Sequence, residues 1–197
     1  MPESYNDWSE FSIYSDLLLF EKDLGYLTSA VLVFLESPGS IAELGAFSQI
    51  DSLSERLIIV VSDDYHPKKY FISLGPIRSI QVTQKHENCV CVIPPVKAEK
   101  LVEHISVIVD MLDKKRQRKN DTESLSKDST QHEILLVLDF INLFLVIQKT
   151  ELQQLATHFG LEIKLLRLNQ ILFLLEKTEL ITWRIQVRSA TTCVCLV

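Results

Sequence analysis

Two uninterrupted apolar runs, Ala30-Val-Leu-Val-Phe-Leu35 and Leu57-Ile-Ile-Val-Val61, constrain this chain more than any other feature. Each is short, rich in β-branched residues and without a polar face, as expected of a strand buried on both sides in a parallel sheet. The first stops at the turn Glu36-Ser-Pro-Gly39, the second at Asp63-Asp64, and a third run, Cys89 to Ile93, ends at Pro94-Pro95. Apolar residues at helical spacing fill Tyr14 to Leu27 and return from Val96 to Leu112. Between the first two runs, Ser40-Ile-Ala-Glu43 has capping-box spacing, with Ser40 as N-cap and Glu43 as the third helical residue. Strand and helix alternate with short joints, which predicts an α/β fold with a parallel sheet flanked by helices.

Charge divides the chain. Residues 1–112 carry 8 basic and 16 acidic side chains, residues 113–130 carry 6 and 4, and residues 131–197 carry 6 of each. The middle stretch opens with Asp113-Lys-Lys-Arg-Gln-Arg-Lys-Asn-Asp121 and has almost nothing apolar to bury, which marks a linker or an exposed helix end. The predicted organisation is an α/β domain over 1–112, a charged linker over 113–130 and a helical domain over 131–197. In that last domain helices are expected over His132 to Ile147, from Thr150 as N-cap to a stop at Gly160, and over Glu162 to Glu176. Leu180 to Ile185 has strand composition, completing the order of a winged helix-turn-helix.

A net charge of −6 over 197 residues excludes a generally basic nucleic-acid coat. Contact with nucleic acid or a partner would fall to local cations: Lys114, Lys115 and Arg116 in the linker, Lys164 and Arg167 on the candidate recognition helix. No apolar stretch approaches the ~20 residues of a membrane helix, and Met1-Pro2-Glu3-Ser4 lacks the character of a signal peptide. The two Cys-Val-Cys pairs, Cys89/Cys91 and Cys193/Cys195, are poorly spaced for disulfides or zinc. These features predict a cytoplasmic protein with reduced, buried thiols and no metal or cofactor.

Chemistry is expected at one segment, Glu36-Ser-Pro-Gly-Ser-Ile-Ala-Glu43-Leu-Gly-Ala-Phe47. It joins the carboxyl end of a buried strand to a helix start, where open α/β sheets bind ligands. Gly39 lets a ligand approach the backbone, and the amides of Ser40 to Ala42 are expected to offer free donors to an anion. Glu43 in the first turn would be held as a carboxylate by the helix dipole, and Gly45 would permit close helix–sheet packing. Glu36 and Glu43, seven residues apart across a turn, can face one pocket. Such a pair suits displacement at an anomeric sugar carbon, one carboxylate attacking and the other orienting hydroxyls or water. Asp63, with Asp64, ends the second strand and can meet the same ligand, or can merely cap a turn.

These residues resemble the nucleotide-handling motif of the nucleoside deoxyribosyltransferase-like superfamily, and more closely the effector proteins of deoxyribosyltransferase-type retrons. In the latter, a strand ending in Glu, then Ser-Pro-Gly-Ser and Ala-Glu-Leu-Gly-Ala-Phe, is followed by a winged-helix module. The resemblance extends through Ser15–Leu24, the second strand and Tyr70-Phe-Ile…Leu74-Gly-Pro-Ile77, covering most of residues 12–182. It implies Glu43 as the catalytic carboxylate, Glu36 as the sugar-binding acid, and Ser37, Gly39 and Ser40 as the turn contacting ribose or phosphate. The implied activity is cleavage of an N-glycosidic bond in a nucleotide, NAD among the candidates. The implied setting is a toxin held in an oligomeric complex with a reverse transcriptase and its RNA-linked DNA, and released on phage infection. A nucleotide-sensing regulator without turnover is the alternative reading. Residues 1–13 hold no apolar run to supply the superfamily's first strand, and no second wing strand is recognisable after Trp183, which predicts a chain shortened at both ends.

Overall fold

A computed structural model describes residues 13–63, 70–85, 89–94, 102–117, 124–126, 128–144, 146–186 and 191–196. The chain divides into two compact units: residues 28–122, and residues 1–27 together with 123–197.

The first unit is the expected parallel sheet. Strands β1 (Val31–Leu35), β2 (Leu57–Ser62) and β3 (Val90–Ile93) lie in the order β1-β2-β3, with Val31 opposite Leu57 and Val60 opposite Cys91. The central strand is buried from Leu57 to Val61, which is why its sequence shows no alternation. Because strand order follows chain order, right-handed crossovers carry both connecting segments over one face. These segments contain α2 (Pro38–Phe47), the short α3 (Asp51–Ser54) and α4 (Arg78–Thr83). The other face, with Ile58, Val60, Cys91 and Ile93, is covered by Ile108, Met111 and Leu112 of α5 (Ile105–Gln117). Burying these large aliphatic side chains stabilises the unit by roughly 1.5–3 kcal/mol each.

Helix α5 runs beyond its expected end at Leu112. The part of its predicted span over 96–101 lies outside the described residues, while its C-terminus runs past Leu112 through Lys114, Lys115 and Arg116. Cations in a last helical turn face the negative end of the helix dipole, so the basic run extends the helix rather than ending it.

The second unit assembles α1 (Leu17–Tyr26), α6 (Thr130–Phe144), β4 (Ile147–Gln148), α7 (Lys149–His158), α8 (Leu165–Lys177), β5 (Ile181–Gln186) and β6 (Thr191–Leu196). Helix α1, expected beside the sheet, is grouped here. Tyr14 and Phe20 form an edge-to-face cluster with Phe173 of α8, with ring centroids 5.3–6.2 Å apart. The tail also departs from expectation, because β6 is a second strand after Trp183. It pairs antiparallel with β5, placing Trp183 opposite Val194, and with β4, giving a sheet ordered β4-β6-β5. Val194 and Cys195 are both buried in this small sheet. The cap of α7 is Gln148 rather than Thr150, and Glu151 Oε2 accepts the Gln148 backbone N–H at 2.9 Å.

Candidate functional site

Parallel pairing brings three strand ends to one edge of the first sheet. Leu35 lies opposite Val61 and Ser62 opposite Ile93. Glu36 and Asp63 therefore leave the sheet at its carboxyl edge on neighbouring strands, roughly 5 Å apart in strand spacing. Both residues are exposed, while Asp64 lies outside the described residues.

The turn after β1 closes on itself. Helix α2 starts at Pro38, and its N-cap is Ser37, not Ser40. Ser37 Oγ accepts the Ser40 N–H at 3.2 Å, and the Ser37 carbonyl accepts the Ile41 N–H at 3.2 Å. Ser40 Oγ in turn accepts the backbone N–H groups of Glu36 and Ser37, each at 3.2 Å, and donates to the Ser37 carbonyl at 2.9 Å. The free donors expected at Ser40 to Ala42 are thus largely spent on the cap. The sequence misleads because Pro at the first helical position, where no N–H is needed, makes Ser37 the better cap.

This three-residue shift of the cap, from Ser40 to Ser37, moves Glu43 from the first turn to the second. Side chains on a helix lean toward its N-terminus, so Glu43 overlies the turn of Gly39 and Ser40, three and four residues before it. Gly39 carries no side chain to obstruct that path. Leu44 and Phe47 fix the buried face, leaving Glu43 half-buried at its margin. Glu36, Ser37, Gly39, Ser40 and Glu43 therefore share one strand–turn–helix, with Asp63 at the adjoining strand end. Gly45 does not act as expected. A Cβ there would meet nothing within 4 Å, so helix–sheet packing does not require glycine at this position.

Two of the five cations singled out from sequence are committed to partners within their own units. Lys114 and Arg116 are exposed near the end of α5, and Lys164 is the exposed residue before α8. Lys115 instead lies on the stripe of Ile108 and Met111 and donates to the Glu55 carbonyl and to Gln84 Oε1. Burial lowers its pKa below the ordinary lysine value.

Arg167 is likewise committed. It pairs with Asp23 of α1 and, through Nε at 2.8 Å, with Glu133 of α6. The Tyr14 hydroxyl donates to Asp23 Oδ2 at 3.0 Å. A guanidinium held by two carboxylates is a structural tie rather than a phosphate contact. Its position in the first turn of an apolar helix, Leu165-Leu-Arg-Leu168, was the only hint of burial. The exposed N-terminal turn of α8 presents Leu165 and Leu166.

Cys89, Cys91 and Cys195 are free and buried. Burial raises the Cys89 and Cys91 thiols, which disfavours a thiolate nucleophile. Among the described residues no group of three or more His, Cys, Asp and Glu could hold a metal, and no helix is long and apolar enough to cross a membrane. The second unit holds a groove of about 520 Å³ beside α7, lined by Phe144, Leu155 and His158 among others. None of the predicted site residues lines it.

Comparison with known proteins assigns the chain. A protein named "Retron Ec73 putative ribosyltransferase/DNA-binding protein", from Escherichia coli, is 41% identical over 71 residues, 36% of this chain and 22% of that protein. Its retron Ec86 counterpart, similarly named and from the same organism, is 38% identical over 65 residues, 33% of this chain and 21% of that protein. The aligned stretches thus span about a fifth of these relatives' length. The family model described as STM3845 retron effector protein matches residues 1–183. With that match spanning nearly the whole sequence, the chain belongs to the STM3845 family of retron effector proteins.

Proposed function

We propose that this protein is the toxic effector of a retron anti-phage defence system and cleaves the N-glycosidic bond of a nucleotide, NAD being the substrate tested first. The observation that carries the reading is the pair of carboxylates on one strand–turn–helix, Glu36 at the strand tip and Glu43 one turn into α2. The ribosyltransferase part of the relatives' names supports it.

In this reading Glu43 attacks the anomeric carbon of the ribose, forming a glycosyl ester as the carbon–nitrogen bond breaks. The bonding electron pair leaves with the base, and nicotinamide departs from NAD as a neutral molecule. Water then attacks the anomeric carbon. The sugar–Glu43 carbon–oxygen bond breaks, its electron pair returns to the Glu43 carboxylate, and the proton lost by water passes to solvent as the sugar is freed. Glu36 orients the sugar hydroxyls, and Ser37, Gly39, Ser40 and Asp63 border the ribose and phosphate. The closed cap already uses the hydroxyl protons of Ser37 and Ser40, so a bound phosphate has to draw them from their partners within the turn.

The element order of the second unit, α6, β4, α7, α8 and the β5–β6 hairpin, supports a winged-helix module. With the DNA-binding part of the relatives' names, it favours contact with the reverse transcriptase and RNA-linked DNA in an oligomeric complex. Exposed Lys114, Arg116 and Lys164 are the cations left for that contact. The test is base release from NAD, followed by chromatography, for the wild type, Glu43→Gln and Glu36→Gln. Release is expected from the wild type, with loss of about three orders of magnitude in Glu43→Gln. Saturable binding without release would instead support a nucleotide-sensing regulator.

A further inference from the structure

The crossover from β2 to β3 has an unusual start. Residues Ser73–Ile77 form a π-helical turn, with Pro76 inside it, leading into α4. Single π turns within helices are rare and concentrate at functional sites. Just before the turn stand Tyr70 and Phe71, 57% and 84% exposed. Aromatic rings this open are not part of any core. Phe71 is nevertheless positioned. A Cβ added at Gly75 would meet its Cζ at 3.4 Å and its two Cε atoms at 3.6 Å. The tip of the ring rests on the glycine of the π turn while the rest of it faces outward. In the same turn Ser73 Oγ is buried with no hydrogen-bond partner among the described residues.

Chain geometry fixes which end of the sheet these rings occupy. At the far end of the crossover, Gln84 Nε2 donates to the carbonyls of Ser54 and Leu57, at 2.7 and 2.9 Å, at the beginning of β2. From Gln84 back to Tyr70 a helical path covers roughly 20 Å. Strand β2, at six residues, is about as long. Tyr70 and Phe71 therefore stand at the carboxyl edge, the edge from which Glu36 and Asp63 project.

We propose that Phe71, seated on Gly75 and flanked by Tyr70, is the platform on which the base of the bound nucleotide stacks. The proposal rests on the glycosidase reading for its ligand class. A carboxylate pair that handles the sugar leaves the base to be held by something else. A planar apolar face at the same sheet edge provides that hold without selecting strongly among bases, since every base has a π-face. A phenyl ring held by its tip loses little freedom when a base covers it.

The test measures binding of NAD and adenosine monophosphate, with ribose 5-phosphate as the base-free probe, by calorimetry on the full chain. Phe71→Ala is expected to weaken both nucleotides about tenfold, leave ribose 5-phosphate unchanged, and be rescued by Phe71→Trp. Because the ring is exposed, thermal unfolding should hardly move. Unchanged nucleotide affinity in Phe71→Ala, equal weakening of all three probes, or no nucleotide binding by the wild type would overturn the proposal. Base release by wild type and Glu43→Gln is scored separately. A platform that behaves as expected without base release leaves the stacking site standing and removes the catalytic assignment. Base release insensitive to Phe71→Ala does the reverse.

Discussion

Asp23 is fully buried, and its charge is tolerable only because Arg167 and the Tyr14 hydroxyl meet it. Truncating Arg167 to Ala would leave that carboxylate uncompensated and should cost about 3–5 kcal/mol, read from chemical unfolding. Arg167→Met, which fills the same space without charge, should still destabilise while Asp23 remains. The double variant Asp23→Leu/Arg167→Met should recover much of the loss. Tyr14 adds a pH signature. Burial, and then the neighbouring Asp23 carboxylate, raises its phenol above the ordinary value near 10. The folded state therefore holds its proton more tightly than the unfolded chain. This contribution is complete below pH 10 and is lost as pH rises beyond it. Tyr14→Phe should flatten the fall in stability above pH 10, measured by urea unfolding at stepped pH.

Helix α2 carries the candidate site, so its cap and its glycines are the informative element. Ser37→Ala should destabilise by about 1 kcal/mol through loss of the cap to the Ser40 N–H. Gly45→Ala should stabilise by up to about 1 kcal/mol, since a Cβ there has open space and alanine is the better helix former. Both are read from thermal unfolding. The run that became β2 was legible because a strand buried on both faces leaves no other use for such residues. Strand β1 carries the same kind of run at the sheet edge, with Val31, Leu32 and Phe34 only half-buried. The start of α2 was legible only to within three residues. Ser37 and Ser40 are equally good caps in sequence, and the choice depends on which hydroxyl the folded turn brings to the amides. The pairing of β6 was illegible from the tail alone, because its strand character depends on β5 and β4 lying beside it.

At the scale of the molecule, the second unit is built from two segments separated in the chain by the whole of the first unit. The expected boundary at 112 followed composition, which records the charged stretch but not where α1 buries its face. That face carries Phe20 and Asp23, partners of Phe173 and Arg167. A fragment of residues 123–197 should therefore unfold several kcal/mol more easily than the same unit in the whole chain. A peptide of residues 13–27 added in trans should raise its melting temperature in proportion to ligand linkage.

The claim on which the functional account depends is a sugar bonded to Glu43 during turnover. A 2′-fluoro arabinosyl analogue of NAD, whose fluorine slows release of the sugar from a glycosyl ester, should trap that species. Peptide mass spectrometry of the treated full chain should find the fluorinated sugar fragment on the peptide containing Glu43, and none in Glu43→Gln. Base release from NAD with an unmodified Glu43 peptide, or an adduct that persists in Glu43→Gln, would contradict it.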